Sequence, residues 1–214
     1  MIQIEKTEPL FPILTSDVYL DSEIALISGH VRDGKGLLAM QLLKLMGSKR
    51  PLRVFSNFPI HPSFLPNSEF FFMEQPQDFL NIQYNNVHQI AILDEPNKWG
   101  LESRRSQSDL NVEVAGKIQQ CGHFNMDVII ITQLYSMVDP RGRRLEQSKY
   151  YAIGKFDKKN YWYAKLAGDY SIECVFNIPI WSAEKFIYPY YSTTHIISNE
   201  EKKQEEIGDI VITK

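Results

Sequence analysis

LISGHVRDGKGLLAMQLL, residues 26–43, decides how the whole chain is read. An apolar run ends at Gly29, four residues separate it from Gly34 and Lys35, and Leu38, Leu42 and Leu45 then recur at helical spacing. Strand, glycine-bounded loop, helix is the setting in which backbone N–H groups cradle phosphate oxygens while a lysine adds mobile positive charge. The candidate cradle is Gly29, His30, Val31, Arg32, Asp33, Gly34, Lys35, Gly36 and Leu37, with Lys35 as its charged member. Two positions depart from the common pattern. Gly36 stands where a Ser or Thr hydroxyl would ligate Mg²⁺; that ion is octahedral and keeps several waters, so a further water is expected there. Asp33 brings a carboxylate into an anion site. At ~6 Å from a phosphate charge and an effective dielectric of ~20 it would cost about 3 kcal/mol, so it is expected to point outward or to pair with Arg32. The bland alternative is a glycine-rich turn in a sheet of the Rossmann kind.

Further along the chain, strands and helices alternate. EIALISG (23–29) reads as a buried strand, GLLAMQLLKLM (36–46) as a helix, LRVFSNFP (52–59) as a second strand and EFFFME as a third, with QDFLNIQ a short helix. QIAILDEP (89–96) and MDVIIITQ (126–133) are β-branched runs ending in polar residues, as buried parallel strands do. The segment DLNVEVAGKIQQCGHF between them is expected to be a helix capped by Asp109. After residue 148, KYYAIGKFDKKNYWYAKLAG alternates around a turn-like DKKN, a hairpin pattern. SIECVFNIPI adds a strand, and AEKFIYPYYSTTHII returns toward the core. The expected division is an N-terminal extension (1–22), a nucleotide-binding core (23–148), a β elaboration packed on it (149–197) and a charged tail (198–214).

The strand ends carry chemistry. Asp94 closing IAILD is placed to hold the shell of a Mg²⁺ ion, and Glu95 to polarise a water as general base. Thr132 and Gln133 end the later strand, where a polar side chain senses a terminal phosphate. Either pair taken alone is equally an ordinary polar strand end; in this order behind the loop they read as one site for ATP and Mg²⁺.

Composition bounds the rest. The chain has 214 residues, 43% hydrophobic and 12% aromatic, enough for a buried core and against disorder. A net charge of -3 supplies no global basic field, so nucleic-acid contact must rest on local patches such as ESRR (102–105) and RGRR (141–144). Cys121 and Cys174 suit reduced thiols better than a disulfide framework or metal site. No signal peptide is expected, and no apolar run approaches the ~20 residues that span a bilayer.

LDEPNKWGLESRRSQ, followed by IQQCGHFNMDVIIITQLYSMVDPRGRR, resembles the zonula-occludens-toxin-like family. That family includes filamentous-phage assembly ATPases and archaeal-virus relatives within the FtsK–HerA class of DNA-pumping ATPases. Its pattern is matched here by Asp94, Glu95, Trp99, Arg104, Gln133, Asp139 and Arg143; RVFSNFPI resembles its strand ending in Asn, and FIYPYYSTTHII its aromatic Y-D-T close with Ser192 in place of Asp. The resemblance implies an α/β fold, a RecA-like P-loop NTPase of the additional-strand type (ASCE). Its central, mainly parallel sheet is flanked by helices, the loop strand lies beside the sensor strand, and a C-terminal β-hairpin is added. It further implies an ATP-hydrolysing motor for viral genome packaging, DNA translocation or virion assembly. The motor would act as a homo-oligomeric ring such as a hexamer, with viral DNA and other virion or capsid proteins as partners, in the host cytoplasm or virion. Catalytic roles would fall to Lys35, Glu95, Gln133 and an arginine finger supplied in trans, Arg143 with Arg104 as its rival. Filamentous-phage members carry a membrane-spanning segment that this sequence lacks, which favours a soluble motor. A non-hydrolysing nucleotide-binding scaffold with a degenerate loop is the alternative.

Overall fold

A computed structural model describes residues 24–191 except 106, 147, 156, 169 and 170. The expected N-terminal extension, the charged tail and Ser192 lie outside the described residues. Among the described residues eight strands form a single sheet in the order β3-β2-β4-β5-β1-β6-β7-β8. They are β1 (Ile24–Gly29), β2 (Arg53–Ser56), β3 (Glu69–Phe72), β4 (Gln89–Asp94), β5 (Met126–Thr132), β6 (Ser148–Lys155), β7 (Asn160–Leu166) and β8 (Ile172–Pro179). The strands from β3 to β6 run parallel; β7 and β8 pair antiparallel.

Alternate residues of the central strands feed two cores, which is why these strands read as unbroken apolar runs. Ala25, Ile27, Ile90, Ile92, Ile129 and Ile131 face one side, together with helix α1 (Lys35–Gly47). Ile24, Leu26, Ala91, Leu93, Val128 and Ile130 face the other, together with α3 (Asp109–Gln119), while the short α2 (Pro76–Leu80) adds Phe79. Leu37, Leu38, Leu42 and Leu43 of α1 are all buried: the helix lies between the sheet and a C-terminal segment made of α5 (Ile180–Phe186) and Tyr188–Tyr190, so it needs apolar residues on both sides. The cap of α3 is Ser108, whose hydroxyl accepts from Asn111 N–H, and not Asp109, which lies in the first turn. Both residues are competent caps, and the helix boundary falls one position earlier than the sequence reading put it.

The expected hairpin forms at Asp157–Asn160, where the Asp157 carboxylate accepts the N–H groups of Lys159 and Asn160. It extends the sheet in its own plane: β6 runs parallel to β1 with Gly29 opposite Ala152. The C-terminal segment does return to the core, where Tyr191 bridges to Ile60 and the His61 N–H donates to the Tyr190 carbonyl.

Candidate nucleotide site

Parallel strands place their C-terminal ends along one edge, and the candidate residues gather there. Ser28 of β1 is in register with Thr132 of β5, and Asp94 of β4 with Ile131. Strands lie ~4.8 Å apart, so the Asp94 backbone is about 10 Å from the loop strand, with the β5 end between them. Gln133 is exposed at this edge. The Thr132 hydroxyl donates to the Leu134 carbonyl 3.1 Å away, which settles it as a turn residue and leaves Gln133 as the free polar side chain of the pair.

The loop runs from β1 into α1. Gly34 (φ 86°) and Arg32 (φ 69°) both take left-handed backbone conformations, and His30, Val31 and Arg32 turn their side chains to solvent. What the loop offers is therefore mainly backbone. The first N–H groups of α1 have no acceptor within the helix, which is the chemistry an anion uses. The Lys35 ammonium donates to the Gly29 carbonyl (2.9 Å) and the His30 carbonyl (2.7 Å), lying across the loop. Burial lowers the pKa of this lysine; the charges of Asp94, Asp33 and Glu95 pull the other way.

Asp33 takes neither expected course. Its carboxylate turns back into its own loop and accepts the His30 N–H at 3.1 Å, with Oδ1 seated against Gly154 of β6. The reason is local: a left-handed residue at Arg32 turns the next side chain, Asp33, back over the N–H of His30, three positions before it.

At the end of β4, the Asn57 amide donates to the Asp94 carbonyl (2.7 Å) and accepts the Asp94 N–H (2.9 Å), a two-point clamp that fixes the strand end. Glu95 follows with φ 51°, a strained backbone for a non-glycine residue, and its carboxylate pairs with Lys98. Burial pushes the Asp94 carboxyl up to about 6, and the Glu95 charge adds to this against the Glu95 N–H and Lys35. A folded-state pKa raised above the usual 3.8 means that stability is lost as pH rises from about 4 to about 6 and stays low above that. Asp94→Asn is therefore expected to stabilise the ligand-free protein at pH 7 by about 2–3 kcal/mol, with the gain gone near pH 4. Urea unfolding at the two pH values checks this; an Asn variant no more stable than wild type at pH 7 would show that the carboxylate carries no such strain.

These residues fit a nucleotide with its metal. A half-buried carboxylate on the same sheet edge as a backbone cradle is hard-oxygen chemistry, and among the described residues no cluster of three His, Cys, Asp or Glu is built to hold a metal. Mg²⁺ is commonly bound through phosphates and water with few protein ligands, and Asp94 is the residue that would face such an ion.

The two candidate arginines lie on different elements. Arg104 is exposed on the turn Ser103–Arg105. Arg143, on α4 (Pro140–Leu145), is half-buried with its guanidinium 5.2 Å from the Tyr135 ring centre, and its Nε is buried without a hydrogen-bond partner. Asp139, fully buried, caps α4 and grips Arg141 through Nε and Nη2, so its place in the sequence pattern is explained by structure. The sequence reading missed Tyr161, Tyr163 and Gly154, which meet the loop from β6 and β7.

A sheet with its loop strand separated from the carboxylate strand by one further strand, and a GxxxxGK loop opening the first helix, defines a P-loop NTPase fold of the RecA-like, additional-strand type. Solved structures with this fold are similar to it. The N-terminal domain of zonular occludens toxin from Neisseria meningitidis matches with TM-score 0.53 and 20% identity, over 80% of this chain and 99% of that one. The genome packaging NTPase B204 of Sulfolobus turreted icosahedral virus 2, in complex with sulfate, matches with TM-score 0.51 and 9% identity over 73% and 96%. The same NTPase in complex with AMPPCP matches with TM-score 0.50 and 10% identity over 73% and 97%. At these identities the likeness is one of fold. No family model matches the sequence, and no curated protein matches it. Among the described residues no helix is long and apolar enough to cross a membrane.

Proposed function

We propose that this chain hydrolyses ATP and couples it to DNA movement in viral genome packaging or virion assembly, acting as a ring. Residues 23–148 would form the ATPase core and 149–197 its β extension. The observation that carries this is the meeting of three sequence-distant features on one sheet edge: the Lys35 loop, the Asp94–Glu95 strand end and Gln133. Bound Mg²⁺-ATP would supply the phosphoanhydride. The loop N–H groups and Lys35 would hold its phosphates, Asp94 the water shell of the metal, Glu95 the proton of the attacking water, and Gln133 the terminal phosphate. The DNA arm of the reading is supported by the similar fold of a genome packaging NTPase and by the family-like sequence pattern.

A non-hydrolysing scaffold is the second reading, favoured by Gly36 in the hydroxyl position and by the hold of Lys98 on Glu95. ATP turnover measured with and without DNA tests between them: a motor is expected to turn over and to be stimulated by DNA, and binding without turnover under either condition selects the scaffold. Glu95→Gln sharpens the comparison. It keeps size and hydrogen bonding but removes the base, so turnover is expected to fall about 100-fold while ATP binding stays. Loss of binding alongside turnover would place Glu95 in the ligand shell instead.

A further inference from the structure

Resting on the nucleotide-site reading, we infer that Tyr163 is a positioning residue for phosphate binding, acting from the C-terminal β extension through the Gly34–Lys35 peptide. Tyr163 of β7 is fully buried, and its hydroxyl donates to the Gly34 carbonyl at 3.0 Å. That carbonyl also accepts the first helical bond of α1, from Leu38 N–H at 3.0 Å. The same peptide unit carries the Lys35 N–H, one of the donors that opens the helix without an acceptor inside it. Two donors on the oxygen fix the plane of this peptide, and polarising the carbonyl makes the N–H on its far side a stronger donor. Burial pushes the Tyr163 hydroxyl well above its ordinary range, so it keeps its proton and stays a donor.

The fit is close enough to dictate residue type. A Cβ at Gly34 would come within 2.7 Å of both the Tyr163 hydroxyl and the Tyr161 ring. One strand over, Gly154 (φ 97°) sits at a β-bulge, and a Cβ there would meet Asp33 Oδ1 at 2.7 Å. Asp33 in turn holds the His30 N–H, while the Gly29 carbonyl of that peptide accepts from Lys35. The Gly34–Lys35 peptide is thus held from β7, and the Gly29–His30 peptide from within the loop itself. Asp33 braces the loop internally, with its carboxylate seated against Gly154 of the extension.

The test is equilibrium binding of a fluorescent ATP analogue to the full chain, with thermal unfolding measured in parallel. Tyr163→Phe is expected to weaken binding about tenfold. Tyr150→Phe removes an equally buried tyrosine hydroxyl, bonded to Ser148 and away from the loop, and is expected to leave binding unchanged. Asp33→Ala, at a half-buried position that tolerates truncation, is expected to weaken binding, although it removes negative charge beside the phosphates. Where Tyr163→Phe does not fold, Phe176→Leu decides, since it removes the ring stacked 5.4 Å from Tyr163 without touching the loop: weaker analogue binding supports the inference, and wild-type binding overturns it. Wild-type affinity in Tyr163→Phe, or equal losses in the Tyr163 and Tyr150 variants, also overturns the inference while leaving the nucleotide site standing. A wild-type chain that binds no analogue overturns the site and the inference together.

Discussion

Lys35→Ala is expected to lose ATP turnover by about 10³-fold or more. An ammonium ~4 Å from a phosphate charge contributes about 4 kcal/mol at an effective dielectric of ~20, and water brings no replacement charge. The folded position supports this size of effect. Lys35 is already partly desolvated, its pKa lowered by burial, and it is anchored by the Gly29 and His30 carbonyls at the mouth of the loop. Its charge is thus pre-placed and little reorganisation is needed when phosphate arrives. The protein should stay folded, because the side chain is only half-buried and one of its two bonds, to the His30 carbonyl, lies at the exposed surface of the loop. The measurement is steady-state phosphate release with circular dichroism as the fold control. Equal, undetectable turnover in wild type and variant, with DNA present, would remove the motor and leave the scaffold.

The second large effect concerns a neighbour. An arginine supplied in trans to charge developing on a terminal phosphate contributes ~10³-fold or more in analogous enzymes. Arg143 holds the place that the family pattern suggests, but its guanidinium packs on Tyr135 of its own chain and is half-buried. Arg104 is exposed and needs no such release, which favours it as the finger. Either variant to Ala is expected to be nearly inactive if it carries that role. Mixing it with an excess of Lys35→Ala subunits, which keep both arginines, should then restore turnover that neither partner has alone. Recovery with Arg104→Ala and not with Arg143→Ala assigns Arg104, and the reverse assigns Arg143. No recovery with either, together with wild-type turnover per subunit that ignores protein concentration, would mean that no site is shared between subunits.

The sequence by itself determined the loop, the carboxylate strand end and the run of parallel strands. The reason is that each depends on neighbours along the chain. A phosphate cradle is made of successive backbone N–H groups between two glycines, and a strand buried on both faces must be apolar at every position. The positions of Asp94, Glu95 and Gln133 at the sheet edge were legible because a polar residue at the end of such a strand has only that edge to occupy. Tertiary structure alone decided the rest. Tyr163 reaches Gly34 across 129 positions, and in the sequence it is one more aromatic in a β-prone hairpin. The Asn57 clamp on Asp94 joins two strands that are adjacent in the sheet but 37 positions apart in the chain. The direction of Asp33 follows from a left-handed backbone at Arg32 and from a cradle with no side chain at Gly154. No residue pattern announces either, since which backbone a side chain meets is fixed by strand order and register, and those are set by the packing of the whole sheet.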